Sequence, residues 1–172
     1  KGSNSSRNNN GASPLHLSSQ SFPSIASSPA GVRILNSTTS KQQAAQNNRG
    51  DSEKKNLSAK QTTLLLTDLI AVFGGLLSNS NSSNGNAAAS NAELERATAQ
   101  ASRLCSVDLD DMLARDAEER SELFMRLSNV MCMHSSVVLQ CGMRQVSMQH
   151  ERSVGYNIGG HLLTIADLNQ FC

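Results

Sequence analysis

Asp116-Ala-Glu-Glu-Arg-Ser-Glu-Leu-Phe-Met-Arg-Leu-Ser-Asn-Val-Met-Cys-Met-His-Ser-Ser-Val-Val-Leu-Gln140 is the stretch whose reading decides the fold. Asp116 is a helix-capping residue with Glu119 three positions on, and apolar residues then recur at helical spacing. With Leu123 at zero and about 100° per residue, Leu127, Val130, His134, Val137 and Val138 fall within roughly 60° of one line. That line is the buried face. Asn129 and Cys132 fall on the opposite side, with Arg126 at the border. His134 sits in the middle of the apolar stripe, and a lone histidine there reads as a neutral core residue, hydrogen-bonded to a neighbouring helix or to hairpin backbone.

Downstream, Met143 to Arg152 reads as a polar connection. Val154, Tyr156 and Ile158 then alternate, Gly159-Gly160 supplies the positive φ angles of a tight turn, and His161-Leu-Leu-Thr returns as the second strand of a hairpin. Thr164-x-x-Asp167 starts a last helix, predicted to run on through Cys172, so the sequence reads as an excerpt of a longer protein.

Upstream, Ser58-x-x-Gln61 is a capping-box pattern followed by Leu65, Leu69, Val72, Phe73 and Leu76 at helical spacing. Gly74-Gly75 weakens the last turn, and residues 78–90 read as a low-complexity linker. Ser90-x-x-Glu93 is expected to open another helix, with Leu94, Ala97, Thr98, Ala101, Leu104 and Cys105 along one face. Asp108, Asp110 and Asp111 read as surface charge near a helix start. Calcium binding needs a glycine and a closing glutamate at spacings this loop does not supply.

Residues 1–57 contain 13 Ser, 8 Asn and all three prolines, with too few apolar residues to offset chain entropy. They read as a long disordered N-terminal tail. Arg49-Gly50-Asp51, the glycosylation-type triplets at Asn4 and Asn36, and Ser28-Pro29 are patterns that such a composition produces freely. The expected architecture is therefore mainly α with a small β-hairpin packed against helices (α+β), a tail at 1–57 and one domain at 58–172.

Charge narrows the function classes. Residues 58–172 hold eight Lys/Arg against twelve Asp/Glu, which argues against a nucleic-acid footprint. Four Phe and one Tyr are too few for a base-stacking platform. The longest apolar run, Leu64 to Leu77, is interrupted by Thr67 and Asp68, so no membrane span is expected. Cys105, Cys132, Cys141 and Cys172 include no Cys-x-x-Cys pair and read as reduced, mostly buried thiols of a cytoplasmic protein.

Cys105-Ser-Val-Asp-Leu-Asp, Glu118-Glu119-Arg, Phe124-x-x-x-x-Asn129, His134, Tyr156-Asn-Ile-Gly-Gly-His161 and Asp167-Leu168 occur in that order. In order and spacing this series resembles the domain-of-unknown-function 547 family, most clearly over 103–170. Asn129, His134, Tyr156, Asn157, Gly159, Gly160, His161 and Asp167 occupy the family's motif positions. Arg126, Ser128 and Asn169 stand where the family usually has Asn, Tyr and Glu. The resemblance implies an intracellular interaction or regulatory domain, with a protein partner and no cofactor. Its alternative is a cysteine-type hydrolase whose site is completed by residues beyond Cys172.

The residues themselves supply little catalytic chemistry. Cys132 and His134 are two positions apart on one helix and point about 200° apart, so they do not meet. His134, His150, His161, Cys132 and Cys141 match no zinc spacing, and no metal is expected. Arg126 and Asn129 at i, i+3 are expected to form a polar shelf beside the hairpin, with Asn129 bonding its backbone.

Overall fold

The computed structural model describes residues 31–37, 56–80 and 87–170. Among these residues the chain is mainly helical with one small sheet, the fold class that the hydrophobic periodicity predicts. Helix α1 (Ala59–Ser80) opens with the expected capping box. The Ser58 N–H donates to Gln61 Oε1 at 3.1 Å and the Gln61 N–H to Ser58 Oγ at 3.5 Å. A second acceptor is Asp111 Oδ2, which takes the Ala59 N–H at 2.7 Å. Leu65, Leu66, Leu69, Phe73 and Leu76 form its buried face.

Gly74-Gly75 does not end α1, which continues to Ser80, and α2 (Ala87–Ala101) begins three residues ahead of Ser90. The linker predicted at 78–90 is thus helical at 78–80 and 87–90, and 81–86 lie outside the described residues. Alanine is the best helix former, so Ala87-Ala-Ala starts α2 without the Ser90 cap. Taken whole, Ala59–Asn79 is long and apolar enough, by length and composition, to cross a membrane. Thr67 and Asp68 interrupt the apolar run without bringing the helix as a whole below that level. In the fold this helix packs against α2 and the long helix α4 (Ala117–Leu139).

A 3-10 turn (Ser102–Ser106) and a short helix α3 (Leu109–Leu113) follow. Two of the three acidic residues there do more than carry surface charge. Asp108 caps α3 by accepting the Asp111 N–H at 3.0 Å, while Asp111 caps α1. Helix α4 (Ala117–Leu139) starts at Asp116, whose Oδ1 accepts the Glu119 N–H at 2.9 Å, and stops where Gln140 turns left-handed at φ 52°.

Helix α4 touches α1, α3, a helix α5 (Met143–Gln149), a last helix α6 (Ile165–Leu168) and the sheet. Partners on several sides bury Phe124 and Met131 along with the predicted Leu123, Leu127, Val130 and His134, and leave Val137 and Val138 half-buried. Helix α5 replaces the expected polar connection, and its anchor is the fully buried Val146. One apolar anchor in seven residues leaves no period to detect.

Strands β2 (Val154–Ile158) and β3 (His161–Thr164) form the predicted hairpin, with Ile158 opposite His161. Gly159 and Gly160 have φ of 58° and 88°, both positive as the tightest hairpin turn requires. Gly159 is also the one residue that fits, since a Cβ there would lie 2.5 Å from the Val107 carbonyl oxygen. Thr164 and Asp167 make the expected capping box of α6. That helix ends at Leu168 with Asn169 as its cap instead of running through Cys172, which lies outside the described residues.

The sheet has a third strand that falls inside the predicted tail. Strand β1 (Arg33–Ile34) pairs in parallel with β2, and the sheet order is β1-β2-β3. Leu35 and Asn36, next in sequence, are buried. Expected disorder is therefore replaced by packed structure over 31–37, while 1–30 and 38–55 lie outside the described residues. Burial of Asn36 also removes the glycosylation triplet at that position from the accessible surface.

Candidate functional site

Of the motif positions, Tyr156 meets His134. Helix α4 carries this ring into the junction of α1, α2 and β2, where it is 1% exposed. Its Nδ1 lies 2.6 Å from Tyr156 Oη on β2, and its Nε2 lies 3.3 Å from Thr98 Oγ1 on α2. Phe73 of α1 stacks on the imidazole with ring centroids 4.6 Å apart and 19° between the planes. Four elements meet on this one side chain.

The bonding pattern sets the tautomer. Thr98 Oγ1 donates to the Leu94 carbonyl at 2.8 Å, so towards His134 it accepts, and Nε2 carries the proton. Nδ1 is then the acceptor and the Tyr156 hydroxyl donates to it. Both ring nitrogens are used. Burial is the main force that lowers the His134 pKa to about 4, and the Arg33 charge on β1 adds to it. Burial likewise raises the Tyr156 hydroxyl well above its ordinary value. The imidazole is neutral, as its place in the apolar stripe predicts; of the two expected partners the neighbouring helix is found, through Thr98 on α2, while the hairpin offers the Tyr156 side chain in place of its backbone.

The other motif residues hold the turn and the strand edge. Asn157 Oδ1 accepts the Gly160 N–H at 2.9 Å, and the Gly159 N–H donates to the Leu104 carbonyl at 3.1 Å. Asp167 Oδ2 accepts the Thr164 N–H at 2.8 Å. His161 opens β3 opposite Ile158. Asn129 does not join them. It is exposed on α4, and Arg126 instead bonds Glu122 Oε1 at 2.7 Å and Thr67 Oγ1 at 2.9 Å. The expected polar shelf beside the hairpin is absent, because that face of α4 meets solvent and α1.

Neither described cysteine with a shifted pKa is poised as a nucleophile. Burial raises the Cys132 thiol against an opposing hydrogen bond with Ser128, and burial raises Cys105 against its backbone hydrogen bond. Among the described residues no group of three or more His, Cys, Asp or Glu is placed to hold a metal. A groove of about 800 Å³ lies where α1, α2, α4 and α5 converge, lined in part by Leu76, Leu94, Val137, Val138 and Met143. It includes none of the motif residues.

Sequence reasoning missed three participants. Thr98 and Phe73 were legible only as members of apolar faces, and Asn36 lay in the predicted tail. Gly31-Val-Arg-Ile-Leu-Asn36 did carry a signal, a small cluster of aliphatic residues in an otherwise polar tract. A scan against protein-family models, a search of curated proteins and a search of solved structures each return no match.

Proposed function

We propose that this chain is a divergent relative of the domain-of-unknown-function 547 family that acts as an intracellular interaction or regulatory domain, without a cofactor and without thiol catalysis. The observation that carries this reading is His134. A thiol-dependent hydrolase needs an imidazole with one nitrogen free for the nucleophile. His134 spends one nitrogen on Tyr156 and the other on Thr98. Asp167 caps a helix, and Asn157, Gly159 and Gly160 brace a turn, which supports a role in maintaining a binding scaffold. Apolar side chains on its surface, Leu64 at 60% exposure and Met125 at 50%, supply contact area for a protein partner. Free cysteines at 105, 132 and 141 support a reducing, cytoplasmic setting.

The test is labelling of the native full chain with a thiol-directed electrophile at neutral pH. Slower reaction at Cys105 and Cys132 than at free cysteine, rising on unfolding, is the expected result. Stoichiometric labelling of the native chain that His134→Ala abolishes overturns the proposal in favour of a hydrolase.

A further inference from the structure

The strand β1 segment is held as a bound peptide is held. The Arg33 N–H donates to the Ser153 carbonyl at 2.8 Å and the Leu35 N–H to the Gly155 carbonyl at 3.0 Å, two rungs of a parallel ladder on the edge of β2. At the next rung the main chain gives way to a side chain. Asn36 Oδ1 accepts the Asn157 N–H at 2.8 Å, and Asn36 Nδ2 donates to the Asn157 carbonyl at 2.8 Å. One amide group thus satisfies both backbone groups of Asn157, as the next peptide unit of a strand would. Nδ2 also reaches the Ala101 carbonyl at 3.4 Å, and Asn36 is fully buried beside Leu35, which is 7% exposed.

All of these partners lie 65 to 121 residues away in sequence. The segment is joined to the helical domain by residues 38–55, a polar stretch with no apolar side chain larger than alanine. A chain of that length spans up to about 60 Å. Backbone pairing supplies affinity and the buried Leu35 and Asn36 supply selectivity, the two components of strand addition to a sheet edge.

We infer that the edge of β2, with the 3-10 turn beside it, is a receptor for an extended segment ending in Leu-Asn. Val32–Asn36 is its resident occupant, and a partner presenting the same segment in trans displaces it. This rests on the interaction reading above and names its surface. The chain's own strand keeps the receptor closed, so a partner's apparent affinity falls by the fraction of molecules in which the strand is docked.

The experiment titrates a fluorescent peptide of residues 31–37 against the full chain and against the full-chain double variant Leu35→Ala, Asn36→Ala. The double variant is expected to bind the peptide about tenfold or more tightly than the parent. A peptide carrying Asn36→Ala is expected to bind about tenfold or more weakly, because the Asn157 N–H and carbonyl lose their partner. Dimerisation of the parent chain that the free peptide reverses identifies a second copy as the source of the segment and supports the same receptor. A double variant that keeps the parent's helical signal yet binds no peptide overturns the inference, as does binding indifferent to Asn36→Ala in the peptide. If the double variant does not fold, recovery of its helical signal on adding peptide supports the inference and failure to recover overturns it. None of these outcomes depends on thiol reactivity, so failure here and failure of the non-catalytic reading are separately visible.

Discussion

Replacing His134 with alanine removes a buried ring on which α1, α2, α4 and β2 converge. The space it leaves is bounded by Phe73, stacked at 4.6 Å, and by the Tyr156 hydroxyl, which loses its acceptor. A cavity of ring size and one stranded buried donor cost about 2–4 kcal/mol at neutral pH. The pH dependence carries more information. With a folded pKa of about 4 against an unfolded value of about 6.5, the native state binds fewer protons than the unfolded state between those limits. The stability contributed by neutral His134 is complete above about pH 6.5 and is lost as pH falls towards 4, roughly 3 kcal/mol in all. The variant has no such group. Urea unfolding of the full chain, followed by circular dichroism from pH 7.5 down to about pH 4, should show the gap between parent and variant narrowing with acid. A variant as stable as the parent, or a gap that does not change with pH, refutes the reasoning.

Tyr156→Phe leaves Nδ1 of His134 without its donor, and should cost about 1–2 kcal/mol by urea unfolding. Gly159→Ala places a Cβ against the Val107 carbonyl at a positive φ and should cost about 2–3 kcal/mol, measured as a lower urea midpoint. Asp111→Ala removes the acceptor of the Ala59 N–H and should cost about 1 kcal/mol. That N–H is also the main reason the Asp111 carboxyl sits below its ordinary value, so its contribution is present above about pH 4 and lost below it. The variant's acid limb in that range should be flatter than the parent's.

Where a local pattern fully determines an element, the sequence displayed it. Asp116 with Glu119, Ser58 with Gln61, and Thr164 with Asp167 each place a helix start, because a cap is a contact between residues three apart. Gly159-Gly160 marked the hairpin because few residues tolerate two positive φ angles in succession. What stayed hidden depends on distant partners. Met143–Gln149 is helical because Val146 finds a pocket on α4, and Arg33–Asn36 is ordered because β2 offers it an unpaired edge. No composition rule over residues 1–57 contains that edge. The site divides the same way. His134 was legible as a buried, neutral ring from its place in the stripe, whereas its bonds to Thr98 and Tyr156 join residues 36 and 22 positions away. Asn129 shows the converse, a motif position that the helix turns out to solvent.

His134 bonds through both ring nitrogens, which leaves neither free for a nucleophile. A long-range proton–nitrogen NMR spectrum of its imidazole in the native full chain tests this directly. From pH 8 to about 5 the ring should remain neutral with the proton on Nε2. A ring that becomes protonated within that range, or that carries its proton on Nδ1, contradicts this.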